Sequence, residues 1–226
     1  MFAKLFRGIA GPIGYEKAKT LAGHDDPEVR RRLADRDDVV PEILYFLAED
    51  QDPEVRRRIA VNAATPAQAH LLLADDAEED VRAGLAAKIA RLAPGLTANQ
   101  RDRVKRITYQ VLDKLARDQI PRVRQILAEA LKDVADAPPE VIRRLARDSE
   151  LPVCAPVLEN SPVLTDEDLI DIIASPPVQG ALTSISRRAS VNTPVADAIA
   201  NSDDVEAITA LLANPSAQIR EDTLDS

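Results

Sequence analysis

The segment Asp25–Arg36, DDPEVRRRLADR, returns as QDPEVRRRIAVN from Gln51 and, in weaker form, as AEEDVRAGLAAK from Ala77. The pairs Val29-Arg30, Val55-Arg56 and Val81-Arg82 follow one another at intervals of 26 residues. A fixed period of this size marks a stacked repeat, in which each unit can bury its apolar face only against its neighbours. The period therefore restricts the architecture severely and the chemistry hardly at all. It names no partner, but it defines the kind of surface a partner would meet.

The repeat continues with irregular spacing. Pro121-Arg122-Val123-Arg124 restores the motif 42 residues after Val81, the stretch from Val153 to Asn160 aligns with that from Val55 to Asn62, and similar stretches run from Ile185 to Asn192 and from Ala207 to Asn214. Each unit reads as two helices. In the second unit Asp52 is placed to accept the free amides of the first turn, and Pro53 occupies the position where a missing N–H costs nothing. Val55, Ile59 and Ala60 then share a face, and Asn62 sits at the helix end, where a left-handed conformation is tolerated. Thr65 and Pro66 restart the chain into a second helix whose stripe is Ala69, Leu72 and Leu73. Comparable second helices begin at Pro41, Pro139, Thr165 and Pro194. Nearly all of the 16 prolines fall at helix starts or in turns, and no stretch alternates as a half-buried strand would. The interval of 42 leaves room for an extra helix between Thr97 and Arg117, with Val104, Ile107, Val111 and Leu115 as its apolar stripe. The fold expected is all-α, a right-handed solenoid of helix pairs with one longer repeat carrying that extra helix. Residues 1–14 read as a tail or cap, and 15–226 as a single domain ending in a truncated repeat, since a terminal repeat normally presents a polar outer face.

These residues resemble a known repeat family. The string D-x-x-x-x-V-R, present as Asp50 to Arg56, Asp76 to Arg82 and Asp118 to Arg124, is similar to the signature of HEAT repeats. That resemblance implies a ladder of hydrogen bonds between successive units, carried by Asp50, Arg56, Asp76, Arg82, Asp118 and Arg124. The pattern departs at Cys154, in place of the Arg, and at His24, in place of the Asp. The short units ending in Asn also resemble leucine-rich-variant repeats. Tyr15-Glu16-Lys17-Ala18-Lys19 followed by DPEVRRRLADR and PEILYFLAED looks like an uncharacterised proteobacterial family of HEAT-like proteins.

Composition narrows the function classes. A formal charge of −9 and a pI near 4.9 argue against a general nucleic-acid binder. Without Trp, and with 3 Tyr and 3 Phe, a platform for stacking bases is hard to build. One cysteine allows no intramolecular disulfide and fits a reducing, cytoplasmic setting. No apolar run reaches the roughly 20 residues of a membrane span. Membrane contact is expected at most through Phe2, Leu5, Phe6 and Ile9 at the amino terminus.

Two sets of cations are candidates for binding a protein partner. Arg57 and Arg58 follow the ladder arginine and point elsewhere around their helix, and Arg101, Arg103, Lys105 and Arg106 make the stretch before Arg117 locally basic. The bland reading of both sets is a solvated helix face. His24 and His70 lack the neighbours of a metal site, Cys154 reads as a small core residue, and Asp166-Glu167-Asp168 complement a helix dipole. No catalytic residue, metal or cofactor is expected. The leading expectation is a non-catalytic scaffold or adaptor that binds a protein of unspecified identity. The alternative is an enzyme on HEAT-like repeats, similar to alkylpurine DNA glycosylases or bilin lyases.

Overall fold

The computed structural model describes residues 13–92 and 103–219, and among them it is all-helical. Fourteen helices follow in order: α1 Tyr15–Ala22, α2 Pro27–Ala34, α3 Pro41–Leu47, α4 Pro53–Val61, α5 Ala67–Leu73, α6 Glu79–Leu92, α7 Arg103–Leu115, α8 Pro121–Leu131, α9 Pro139–Ala146, α10 Leu151–Asn160, α11 Asp166–Ala174, α12 Ala181–Ser186, α13 Thr193–Ala200 and α14 Val205–Leu212. The sole β-type pairing among the described residues is an isolated bridge between Val191 and Ala217.

Local sequence explains where the helices begin. Asp26 and Asp52 accept from the amides of Glu28 and Glu54 at 2.9 and 2.8 Å, with Pro27 and Pro53 just inside the helix. Thr165 and Asp168 bond reciprocally, each side chain taking the other's backbone N–H, so α11 starts on a capping box. Pro156 is an exception to the proline pattern, because it lies inside α10.

The described residues divide into two compact units, one of residues 13–89 with 103–114 and one of residues 90–92 with 115–219. In the first, α1, α3 and α5 pack in sequence as one layer, while α2 packs on α4 in another. In the second, α8, α10, α12 and α14 form one layer, and α11 packs on α13 in the other. Each core lies between its layers: Val29, Leu33, Val55, Ile59, Leu44, Leu47 and Leu73 are buried in the first unit, and Val123, Leu127, Val141, Leu145, Val153 and Val157 in the second.

Four sequence expectations change. Leu72 is half-buried, and the neighbouring His70 takes the buried place on α5. Val104 is exposed, and the buried stripe of α7 is Ile107, Thr108, Val111, Leu112 and Leu115. The helix expected between Thr97 and Arg117 is present as α7, but among the described residues it is the second helix of its repeat and not an additional one, α6 and α7 being 14 and 13 residues long. Asn62 is extended, φ −65°, not left-handed. Its side chain is spent on the preceding repeat, donating to the carbonyls of Ala34 and Arg36 at 2.7 Å each.

That last bond also corrects the register near Ile185. Asn214 donates to Ser186 and Arg188 at 2.8 and 2.9 Å, intervals of 28 and 26 residues like those of Asn62. The equivalent of Val55 before Ala207 is therefore Ala181, one helical turn ahead of Ile185. Such a slip keeps apolar residues on one face, so periodicity alone does not detect it. Asn192 lies beyond α12, at the N-cap of α13.

Candidate functional site

The repeated arginine and aspartate form a built polar spine. Arg56 donates through Nε and Nη2 to the carboxylate of Asp76 at 2.6 and 3.0 Å, and through Nη1 to the carbonyl of Asp50 at 2.7 Å. Arg30 repeats this with Asp50 at 2.7 and 2.9 Å and with the His24 carbonyl, and Arg124 with Asp148 at 2.6 and 2.9 Å and with the Asp118 carbonyl. Arg82 donates to the Asp76 carbonyl at 2.7 Å. Asp50 and Asp76 thus each supply a backbone acceptor to the arginine of their own motif and a carboxylate to the arginine one repeat before. The carboxylates also accept the amide two residues on, at Asp52, Glu78, Ile120 and Glu150. Hydrogen bonding to these carboxylates, with their charge, raises Arg30, Arg56 and Arg124 above the ordinary arginine range, so the forks stay charged.

The two departures from the motif have structural explanations. His24 reproduces the aspartate's turn, its Nδ1 accepting from the Asp26 amide at 3.0 Å. Cys154 stands buried where an arginine would reach the next repeat, and burial, helped by Asp148, pushes its thiol up to about 11. Beyond it Arg188 donates to the carbonyls of Leu158 and Ser161 at 2.6 and 2.7 Å.

The proposed binding cations are differently placed. Arg57 forks onto Glu54 at 2.7 and 2.8 Å, and Arg58 reaches Glu54 at 3.0 Å and also Asp35. The two arginines, Arg57 first, hold Glu54 down to about 2. Both cations are thus drawn together on one carboxylate, at partly exposed positions. On α7, Arg103 and Arg106 are exposed and Lys105 is half-buried, while Arg101 lies outside the described residues.

Two groupings escaped the sequence reading. Lys88, the period-26 equivalent of Asn62, is buried; its Nζ donates to the Asn62 carbonyl at 2.5 Å and lies 3.0 Å from His70 Nε2. Nε2 must then act as acceptor, which leaves the proton on Nδ1, and that buried atom has no partner. Burial, reinforced by the Lys88 ammonium, lowers His70 from 6.5 to about 4.

The second grouping is an open cavity of about 510 Å³ in the second unit, lined by Arg117, Arg143, Arg144 and Arg147 with the Arg124–Asp148 fork among its walls. Arg143 shares itself between Asp168 at 2.9 Å and Glu140 at 3.2 Å, and Arg147 is exposed with no ion pair among the described residues. The signal was present in the sequence. PEVIRRLARD from Pro139 superposes on PEILYFLAED from Pro41, so Arg143, Arg144 and Arg147 replace Tyr45, Phe46 and Glu49 over a retained apolar pattern.

No helix among the described residues is long and apolar enough to cross a membrane, and no cluster of His, Cys, Asp and Glu among them could hold a metal ion. No curated protein matches the chain. Residues 153–226 match the profile of a family described as an uncharacterised protein conserved in bacteria, DUF2336, which is similar to the carboxyl-terminal third of this chain.

Proposed function

We propose that the chain is a non-catalytic protein-binding scaffold, a right-handed solenoid of HEAT-like repeats acting in the cytoplasm on a protein partner. One observation carries this reading. The repeats keep their buried positions and change their exposed ones: the apolar pattern of α3 returns in α9, while Tyr45, Phe46 and Glu49 give way to Arg143, Arg144 and Arg147. Tyr45 and Phe46 are exposed, at 39% and 59%, although large aromatic side chains are normally covered. A constant frame with a varied face suits recognition. The side chains best suited to nucleophilic or acid–base work are committed elsewhere. Cys154 is fully buried with its thiol raised, and His70 is buried beside a cation and held neutral.

The test is affinity capture from a lysate of the source cell, with the full chain as bait. A defined partner should be retained, and its retention should fall with Phe46→Ser or Arg147→Glu while thermal melts stay unchanged. Loss of no partner with either substitution would place recognition off these faces, and the reading would fall.

A further inference from the structure

Five arginines converge around the cavity of the second unit, against the carboxylates of Asp118, Glu140 and Asp148. In a chain of formal charge −9 this is a locally cationic surface. Arg147 has no ion pair among the described residues, and Arg143 is divided between two separate acceptors, the farther at 3.2 Å. Both groups can exchange a weak or absent contact for a better one. The Arg124–Asp148 fork, at 2.6 and 2.9 Å, shows the same wall already engaging a carboxylate in bidentate geometry.

Position on the helix selects among anions. Arg143 and Arg144 lie in the last turn of α9 and Arg147 at its C-cap, while Arg117 follows the last residues of α7. These are helix ends where unpaired carbonyls carry partial negative charge. A compact dianion would have to sit against that charge, and the turns that open α8 and α10 beside the cavity already present the carboxylates of Asp118 and Asp148. Singly charged carboxylates spread along a chain avoid the conflict, each meeting one guanidinium. The arginines are also arrayed along α9 and across the cavity, which fits an extended ligand with several charges.

We propose that the arginine-lined cavity of the second unit docks an acidic, Asp- and Glu-rich peptide segment of the partner protein. The inference rests on the scaffold reading above and specifies the chemistry of what the scaffold holds. Arg143 and Arg147 supply forks to successive carboxylates, Arg117 and Arg144 complete the cationic rim, and the Arg124–Asp148 pair holds the floor in place.

The experiment is fluorescence anisotropy of the full chain with a fluorescein-labelled peptide alternating Glu and Gly. Gln-for-Glu and phosphoserine-for-Glu versions serve as comparators. The Glu peptide should bind, should weaken as salt rises from about 50 to about 200 mM, and should lose about tenfold in affinity in Arg143→Glu/Arg147→Glu. Arg32→Glu, at an exposed intrahelical pair on the first unit, should bind as the wild type does. Because Arg143 also bonds Asp168, the single variant Arg147→Glu and a thermal melt of each protein separate lost binding from lost fold. No binding of the Glu peptide, equal binding of the Gln peptide, equal binding by the folded Arg147→Glu variant, or binding of the phosphoserine peptide alone would each overturn the proposal. Captured partner that is retained by the Arg147→Glu bait but lost with Phe46→Ser would leave the scaffold reading standing while this inference fails.

Discussion

Asp76 serves three acceptor roles within one residue. Its carboxylate receives two bonds from Arg56, its Oδ1 also accepts the Glu78 amide at 2.9 Å, and its carbonyl receives Arg82 at 2.7 Å. A carboxylate so buried is costly when unpaired, because desolvation is no longer offset by its donors. Arg56→Ala should therefore destabilise the fold by about 2–3 kcal/mol. Arg57→Ala, at an exposed intrahelical pair, should cost no more than about 0.5 kcal/mol. Urea melts of the two variants test the contrast, and equal losses would contradict it. His70 makes a second prediction at this scale. The unfolded chain takes up a proton near pH 6.5 that the folded chain refuses until about 4. Stability from neutral His70 is thus fully present above that higher value and is lost as pH falls toward the lower one, by about 3 kcal/mol in total. The decline between pH of about 6.5 and 5 should flatten in His70→Gln, whose amide oxygen can still accept from Lys88; an unchanged slope would exclude His70 as its source.

Among the elements, α4 and α12 show how packing and backbone share the work. Ile59 on α4 is fully buried between helices, so Ile59→Ala should cost about 2–5 kcal/mol, through lost transfer energy and a residual cavity. An unchanged melting temperature would mean the repeat register is misread. α12 is only six residues long and starts from Gly180 at φ +87°. A side chain there would meet strain from the left-handed backbone, and its Cβ would lie 3.1 Å from Leu151 Cδ2 of α10. Gly180→Ala should cost roughly 1–2 kcal/mol and should shorten the protection of α12 amides against exchange. Val205, 74% exposed at the start of α14, is the contrasting site, where Val205→Thr should leave stability within about 0.5 kcal/mol.

For the whole molecule, division into two compact units built from layered helices means that stability is a sum of local terms. Damage should then stay near its origin. In hydrogen exchange, Ile59→Ala should raise the rates of amides in α4 and α5 well before those of α9 and α10. Uniform acceleration across both units would show a single cooperative transition instead. Net charge also acts at this scale. The chain's excess of 38 acidic over 29 basic residues disfavours association with polyanions in general, so an anion that binds must do so at a local cluster such as the one around Arg147.

The sequence alone determined the helical class, the period and most of the core. Those properties are written in spacings: Val55 and Ile59 share a face because helical geometry puts them there, whatever surrounds the helix. It also showed that Arg and Asp recur in register. What it could not assign was the partner of each group, because Arg56 and Asp76 are 20 residues apart and meet only when one repeat is laid on the next. The same reason hid the role of Asn62, which bonds a repeat 26 to 28 residues behind it, and the burial of Lys88 against His70. It also hid the slip near Ile185, since a shift of one turn preserves the apolar face and only the bonds of Asn214 distinguish the registers. The arginines of α9 were legible as residues, but their closure around a cavity with Arg117 depended on packing between elements. Local periodicity follows from backbone geometry; convergence of side chains from different repeats follows from how those repeats stack.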